Sequence, residues 1–382
     1  MKRNLWIMYA IALLQGMVFY GPIATLYRQA HGLTIFQITL IESISLALLI
    51  LLEIPWGIIA DKIGCRHTII FCSALYLISK IIFWKADGFA GFLVERIMLS
   101  VVESGFSGVD SSILYLSCGQ KNSQKVFGVY HSMSMAGLLF AAGVYTMVVQ
   151  DHYPLAGFLT VISYGGAAFL SLFLTDIRIH SVKKTDTEPF RVTIKKAMKN
   201  RSLLLFLIAA ALLSETHQTI TVFLNQLQYQ KCGLSGSSIG LLFVAATLLG
   251  LFGFCSSSVT GRLGICSSLL LFCSMAAASC LTLAATRLAF PSAAAILILR
   301  FSNTLFQPLL TEIQNRQIRT DNRATALSVN SMLLNSVAIG TNLVFGALAD
   351  RTLSGAFLFG TGICIISCLI FYHLFAPDRK HA

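Results

Sequence analysis

The sequence predicts an all-α membrane protein with twelve transmembrane helices, arranged as two pseudo-symmetric six-helix bundles around a central cavity. The first observation is composition: 56% of the 382 residues are hydrophobic, 12% are charged, and the mean hydropathy is +0.76. A soluble domain carries about twice that charged fraction. The second is that apolar runs of about 20 residues, long enough to cross a bilayer as a helix, recur along the whole chain. Strand patterns of alternating polarity are absent, so helices are the spanning element.

The apolar segments can be placed in chain order. The first resembles a signal peptide only superficially, because it is long and ends in Gly21-Pro22 and Tyr27-Arg28 rather than at a small-residue cleavage site. We therefore expect it to be a first transmembrane helix that Gly21-Pro22 bends near its outer end. The twelve segments fall at about 5–27, 37–60, 68–87, 89–117, 127–149, 157–177, 203–227, 238–259, 265–286, 291–313, 326–349 and 355–376.

Lysine and arginine are distributed unevenly between the connections. With the N-terminus inside, 20 lie on the cytoplasmic side, 5 on the other side and 3 within segments. Because basic residues accumulate in cytoplasmic loops, both termini are predicted to be cytoplasmic. The net charge of +12 then reflects topology and not nucleic-acid binding. The sequence predicts an N-terminal bundle (1–177), a basic cytoplasmic linker (178–202) and a C-terminal bundle (203–382).

A short charged connection follows the second apolar segment. It reads Gly57-Ile-Ile-Ala-Asp61-Lys62-Ile-Gly64-Cys-Arg66. With an offset of 200 residues, Asp61–Gly64 aligns with Gly261-Arg262-Leu263-Gly264, which keeps the base and the glycine but not the acid. Weak symmetry between two halves is typical of many secondary transporters.

This connection resembles the loop 2–3 signature of the major facilitator superfamily. The twelve segments, the long middle loop and the internal termini are similar to the layout of that family. Glu53-Ile-Pro55-Trp-Gly57 and Arg323-Ala-Thr-Ala-Leu-Ser328 resemble a branch of bacterial permeases and exporters. The resemblance implies a secondary transporter of the bacterial inner membrane, with a central cavity lined by segments one, four, seven and ten.

The charged connection is predicted to form part of a conformational gate. Asp61, at a cytoplasmic helix end, can meet the N-terminus of another helix, whose free N–H groups favour an anion. The resemblance suggests segment eleven, starting near Ala326, as that helix. The alternative is that Asp61 only caps a turn. The predicted gate residues are Glu53, Gly57, Asp61, Lys62, Gly64, Arg66 and Arg323.

Segment four contains three ionisable residues, Arg96, Glu103 and Asp110. Steps of seven residues place them along one helix face over about 21 Å. Charges within spans are costly and are functional candidates by default. Polar residues also recur at helical spacing in segment seven and in segment ten. The predicted substrate-cavity residues are Gln15, Arg96, Ser107, Gln218, Asn225, Arg300, Asn303 and Gln307.

Glu103, Asp110 and Glu215 are the predicted proton-coupling residues. A carboxyl group in low-dielectric surroundings favours its protonated form, so protonation can alternate with substrate binding or with pairing to Arg96. The alternative is a static buried ion pair. For Arg300, substrate contact and structural pairing both stay open, whereas a helix–helix hydrogen bond is favoured over proton relay for His217.

The mixed charge of these residues predicts a small amphipathic, zwitterionic or cationic substrate. The predicted function is proton-coupled secondary transport, with export favoured over uptake on the resemblance alone. An uncoupled facilitator and a transport-dead sensor are the alternatives. An enzyme is not expected, because neither a second histidine near Glu215 nor an HExxH motif is present. The ten cysteines form no zinc or disulfide pattern. We expect a monomer without metal or cofactor, whose partners are the substrate, protons and the lipid bilayer.

Overall fold

The computed structural model describes residues 2–106, 109–118, 123–150, 152–175, 200–317 and 323–376. These residues form helices and short connections, without a strand among them, so the predicted all-α class is confirmed. Within the described ranges, 11 helices are long and apolar enough to cross a membrane. The segment predicted at 89–117 is not among them; its described parts, Gly88–Phe106 and Val109–Cys118, are helical and carry several charges. The count of twelve therefore stays a prediction.

The helices are numbered in chain order. The first part of the chain contains α1 (Lys2–Gly16), a 3₁₀ turn (Gly21–Ile23), α2 (Ala24–Ala30), α3 (Ile35–Ile63), α4 (Cys65–Lys85), α5 (Gly88–Phe106), α6 (Val109–Cys118), α7 (Ser123–Val144), a π-helical turn (Tyr145–Val149) and α8 (Tyr153–Ser171). The second part contains α9 (Arg201–Gln218), a π-helical turn (Thr219–Leu224), α10 (Asn225–Lys231), α11 (Gly236–Leu249), a 3₁₀ turn (Gly250–Phe254), α12 (Cys255–Leu263), α13 (Ile265–Ala285), α14 (Ala289–Gln317), α15 (Arg323–Arg351) and α16 (Leu353–Phe375).

The described residues divide into two compact units. Unit 1 falls within Met1–Leu33, Ile44–Lys183 and Ser235–Val244, and unit 2 within Thr34–Ser43, Lys184–Leu234 and Ala245–Ala382. Residues 34–43 thus belong to unit 2, although they lie in the first half of the sequence. Residues 235–244 belong to unit 1, although they lie in the second half. The predicted domain boundaries, with a linker at 178–202, stay a prediction.

The first apolar segment is interrupted earlier than its Gly21-Pro22 pair suggests. Helix α1 ends at Gly16, and helical structure resumes with the 3₁₀ turn at Gly21. Pro22 stands at the start of that turn, where its missing N–H costs no hydrogen bond. Within the break, the backbone N–H of Phe19 donates to Thr160 Oγ1 of α8 at 3.0 Å. A side chain of unit 1 thus takes the place of a helical partner.

In unit 1, α1 and α7 pack at backbone contact through glycines. A Cβ atom added at Gly137 of α7 would meet the carbonyl oxygen of Leu13, and one at Gly16 of α1 would meet the carbonyl oxygen of Ser134. Small residues that let helix backbones approach closely are characteristic of packing within membranes. Apolar side chains such as Met8, Ile11 and Ile69 are fully buried beside this contact.

We expect Gly137→Ala to destabilise the protein by about 3 kcal/mol, because overpacking costs about 1–3 kcal/mol and the atom in the way belongs to the backbone. Gly143→Ala is the matched control, since it lies in the same helix and a Cβ atom there meets nothing within 4 Å. Unfolding of both variants in detergent, followed by circular dichroism, gives the comparison. Equal stability of the two variants would refute close packing of α1 on α7.

In unit 2, the start of α3 is fixed against the end of α15. The carboxylate of Asp350 accepts hydrogen bonds from the backbone N–H groups of Ile35 (2.7 Å) and Phe36 (3.1 Å). These donors lack partners within their own helix. One turn further along α3, the side chain of Thr39 lies where a Cβ atom on Gly346 would be. This packing sets the position of the later residues of α3, including Glu42.

Candidate functional site

Unit 1 contains an open cavity of about 290 Å³ that brings together residues from five helices. It is lined by Gln15 of α1, Tyr76 of α4, Glu103 and Phe106 of α5, Asp110 of α6 and Tyr130 of α7. Three of the six, Gln15, Glu103 and Asp110, are residues that the sequence singled out. The other three are aromatic. Two carboxyl groups from consecutive helices therefore share one partly aromatic cavity.

Gln15 reaches this cavity because α1 stops one residue later. A helix end leaves its last carbonyl groups without intrahelical partners. Here α8 supplies donors: Ser163 Oγ donates to the carbonyl oxygen of Leu14 at 2.5 Å, and the Tyr164 hydroxyl donates to that of Gln15 at 2.7 Å. The backbone of Gln15 is thus fixed. Its side-chain Nε2 is buried and has no hydrogen-bond partner among the described residues.

The cavity acids are held by tyrosines. The hydroxyl of Tyr130 donates a hydrogen bond to Asp110. Glu103 interacts electrostatically with Tyr76 and Tyr164. The rings of Tyr76 and Tyr164 pack edge to face, with 4.7 Å between their centres.

Arg96 shares α5 with Glu103 but does not line the cavity. It lies two turns earlier, about 10 Å along the helix axis. Its carbonyl oxygen accepts from Ser100 Oγ at 3.0 Å, and that hydroxyl also contacts Ser45 Oγ of α3 at 2.7 Å. Ser107 lies outside the described residues.

The same unit contains a cluster of buried charged residues. The sequence pattern assigns no role to them. Arg28, Lys80 and Glu95 are exposed by only 8%, 4% and 1%. The Glu95 carboxylate lies 3.9 Å from Arg28 NH2 and 3.7 Å from Lys80 Nζ. Lys80 and Glu95 are ionisable residues within apolar segments, so the rule that selected Arg96 would also have selected them.

Aromatic rings surround the two cations of this cluster. Lys80 Nζ donates to the Tyr20 hydroxyl at 3.0 Å and lies 5.2 Å and 5.3 Å from the ring centres of Tyr76 and Tyr164. The Arg28 guanidinium lies 5.5 Å from the ring centre of Phe83. Ring faces attract cations at such distances. The rings therefore offset part of the net positive charge that remains where two cations share one carboxylate.

In unit 2, Glu215 is buried in a polar cluster. Its Oε1 accepts from Thr219 Oγ1 at 3.0 Å, and the same hydroxyl lies 2.9 Å from Asn342 Oδ1 of α15. Glu42 of α3 interacts electrostatically with Glu215. The sequence pattern singled out Glu215 but neither Glu42 nor Asn342, since only the packing of α3 and α15 brings them together.

The polar residues of segment seven do not continue as one face. The π-helical turn at Thr219–Leu224 adds a residue to the turn and rotates the later part of the segment by about 100°. Gln218, before this turn, is exposed. Asn225, after it, is buried, and its Oδ1 accepts from the Gln226 backbone N–H at 2.8 Å. His217 is fully buried, with its ring 6.3 Å from that of Phe306.

The segment-ten residues lie on α14. Gln307 Nε2 donates to Asn303 Oδ1 at 3.1 Å and to Ser214 Oγ of α9 at 3.3 Å. Arg300, one turn before Asn303, is partly buried and interacts electrostatically with His217. Segments seven and ten thus meet within unit 2 through Ser214 with Gln307 and through His217 with Arg300.

Most of the predicted gate falls where side chains are not described. Those of Glu53, Gly57, Asp61, Lys62 and Arg323 lie outside the described residues, and Arg66 is partly buried at the start of α4. Gly64, between α3 and α4, has φ +83° and ψ 153°. Gly264, between α12 and α13, has φ +79° and ψ 163°. The two repeat-related turns share a left-handed conformation that glycine adopts without strain.

Comparison with known proteins places the chain in a family. A family model described as Major Facilitator Superfamily matches residues 5–341. No curated protein sequence matches the chain.

Solved structures share the fold at low sequence identity. The chain is similar to the nucleoside transporter NupG, with 15% identity and a TM-score of 0.79, over 97% of this chain and 99% of that one. It is similar to a POT family transporter in complex with 5-aminolevulinic acid (14% identity, TM-score 0.77, 98% and 96% covered). A bacterial homologue of the human lysosomal transporter Spinster, inward-facing and unoccupied, is also similar (15% identity, TM-score 0.70, 98% and 94% covered).

The family match and these neighbours indicate a transporter rather than an enzyme. The 11 apolar helices, together with the family, indicate an integral multi-pass membrane protein. Because the family model covers most of its length, the chain belongs to the major facilitator superfamily.

Proposed function

We propose that this chain is a secondary active transporter that exchanges protons for a small amphipathic, zwitterionic or cationic solute by alternating access. The observation that carries the proposal is the pair of carboxyl groups, Glu103 and Asp110, in one cavity with Gln15 and three aromatic rings. A transporter needs a cavity for its solute. A proton-coupled one also needs a group there whose charge depends on protonation.

The chemistry of a cavity carboxylate provides the coupling. A carboxylate in low-dielectric surroundings is stabilised by a bound cation or by a proton, because either one neutralises its negative charge. A cationic solute and a proton therefore compete for Glu103 and Asp110. Release of one favours uptake of the other, which is the exchange required of an antiporter.

The names of similar proteins support a small organic solute and do not indicate its charge. The similar structures are described as a nucleoside transporter, a POT family transporter with 5-aminolevulinic acid, and a human organic anion transporter. All of these names refer to small organic molecules. Export is proposed as the direction on the resemblance of the residues around Glu53 and Arg323 to bacterial exporters.

Further assignments complete the proposal. Glu215, in its cluster with Thr219 and Asn342, is a second proton-binding candidate, and Arg300 is a candidate for solute contact. The residues from Glu53 to Arg66, with Arg323, form the cytoplasmic gate. The protein acts as a monomer in the bacterial inner membrane, with both termini in the cytoplasm and the two bundles joined by the linker at 178–202.

A solute screen followed by transport tests the proposal. Purified protein is heated with a panel of cationic, zwitterionic, neutral and anionic solutes, and stabilising solutes are then supplied in radiolabelled form to proteoliposomes. We expect cationic or zwitterionic hits, with saturable flux that protein-free liposomes lack. Hits that stabilise the protein but do not cross the membrane would favour a transport-dead sensor. Flux that is indifferent to an imposed pH gradient would favour an uncoupled facilitator.

A further inference from the structure

The residues that line the cavity of unit 1 define the class of its ligand more closely than the proposed function does. Its described lining consists of two carboxyl groups, three aromatic rings and one amide, with no lysine, arginine or histidine among these residues. The nearest buried ammonium, that of Lys80, contacts the Tyr76 ring but is not part of the lining. A solute with a positive charge finds partners here, and a solute carboxylate finds none of opposite charge.

The aromatic lining favours a flat apolar body. Tyr76 and Phe106 lie 6.1 Å apart between ring centres, with an angle of 49° between their planes. The third ring, that of Tyr130, is fixed by the hydrogen bond of its hydroxyl to Asp110. Rings at such separations pack well against another ring, and they also attract a cation held near their faces.

Gln15 adds a requirement for a hydrogen-bond acceptor. Its Nε2 is buried and has no hydrogen-bond partner in the part of the chain that the structure describes, although its backbone is fixed by Tyr164. A buried donor without a partner is unfavourable. Because a half-turn of the amide exchanges its nitrogen and oxygen, the side chain can present an N–H group to the cavity that it lines. A carbonyl oxygen or a ring nitrogen on the solute would satisfy it.

The volume of the cavity suits a small solute. Its 290 Å³ lies close to the lower end of the range for ligand pockets, about 300–1,000 Å³. One ring, or two fused rings, with short substituents fills such a space.

We propose that the cavity binds an organic monocation in which a protonated amine is attached to a flat ring that carries a hydrogen-bond acceptor. The ammonium group contacts Glu103 and Asp110, the ring packs against Tyr76 and Phe106, and the acceptor meets Gln15. This inference rests on the proposed function for its biological meaning. It narrows the solute class by excluding zwitterions.

Four matched probes test the inference by binding to the purified protein, without transport. They share a benzene ring: para-(aminomethyl)benzamide has the ammonium and the acceptor, para-methylbenzamide lacks the ammonium, para-methylbenzylamine lacks the amide, and para-(aminomethyl)benzoate is a zwitterion. Titration calorimetry is expected to find that the first binds more tightly than each of the others by about tenfold, the effect of one charged or fully formed hydrogen bond.

Variants assign the preferences to residues. Glu103→Gln combined with Asp110→Asn is expected to remove the preference for the ammonium, and Gln15→Leu to remove only the preference for the amide over the methyl group. Asp87→Asn and Gln230→Leu, at exposed positions outside the lining, are the matched controls and should leave all preferences unchanged.

The outcomes separate this inference from the proposed function. Equal binding of para-methylbenzamide, tighter binding of the zwitterion, or no binding of any probe at about 10 mM would each overturn it. So would an amide preference that survives Gln15→Leu. If the expected order of binding is found but solute flux ignores the pH gradient, the proposed function fails while the cavity chemistry stands.

Discussion

Replacing Glu103 by Gln together with Asp110 by Asn is expected to abolish pH-driven accumulation of solute in proteoliposomes. Both substitutions keep the shape of the side chains and remove the charge that a proton or a cation would neutralise. With neither group able to exchange one for the other, a pH gradient can no longer drive the solute. We expect accumulation to fall at least tenfold, corresponding to about 1.4 kcal/mol of lost coupling free energy.

The control for this variant is Asp87→Asn, which removes an exposed acid of the same unit. The single variants identify the dominant carboxyl group: the one that carries more of the coupling should reduce accumulation more. Wild-type accumulation in the double variant would show that coupling resides elsewhere, with Glu215 as the next residue to substitute.

Glu95→Gln is expected to produce the largest loss of stability in unit 1. Glu95 is 1% exposed and is the carboxylate between Arg28 and Lys80. Its replacement by an amide removes the carboxylate that both buried cations share and leaves them with aromatic rings and the Tyr20 hydroxyl. Removing one partner of a buried ion pair costs about 3–5 kcal/mol, because the remaining charge is uncompensated. Chemical unfolding in detergent measures the loss.

A second substitution separates this effect from simple loss of packing. Lys80→Met in the Glu95→Gln background removes one of the surplus charges at similar volume, so it should restore part of the lost stability. Lys85→Met in the same background is the control, because Lys85 is exposed on the same helix. If Lys80→Met lowers the stability of Glu95→Gln further, the cluster is not held by its charges.

The sequence could predict those parts of the site that depend on spacing along one helix. Charges within apolar segments are rare, so Glu103 and Asp110 were conspicuous, and steps of seven residues placed them on one side. The structure brings both to one cavity. Arg96 has the same spacing but does not line the cavity, because helical periodicity gives the face of a helix and not the depth at which a cavity opens.

Other parts depend on contacts between segments, which spacing does not contain. Gln15 is placed by the early end of α1 and by the donors of Ser163 and Tyr164 on α8. The pairing of Lys80 with Glu95 requires α4 and α5 to be neighbours at one particular depth. Composition and periodicity predicted the all-α class, but neither records which helices touch.

Local backbone irregularity accounts for the remaining difference. The polar residues of segment seven fit one face of a regular α-helix, and the π-helical turn at Thr219–Leu224 separates Gln218 from Asn225. The spacing of apolar residues in the sequence does not reveal such a turn. By contrast, the glycines at 64 and 264 were visible as a repeat, and each has a positive φ.

The central claim is that acids in the unit 1 cavity couple solute movement to protons, and proton flux tests it most directly. Proteoliposomes that contain a pH-sensitive dye are given a solute identified by the screen, with no pH gradient imposed. We expect solute entry to move protons outward, so that the interior becomes alkaline, and we expect this signal to be absent in the Glu103→Gln, Asp110→Asn double variant. Solute entry at the wild-type rate without any change of internal pH would contradict the claim.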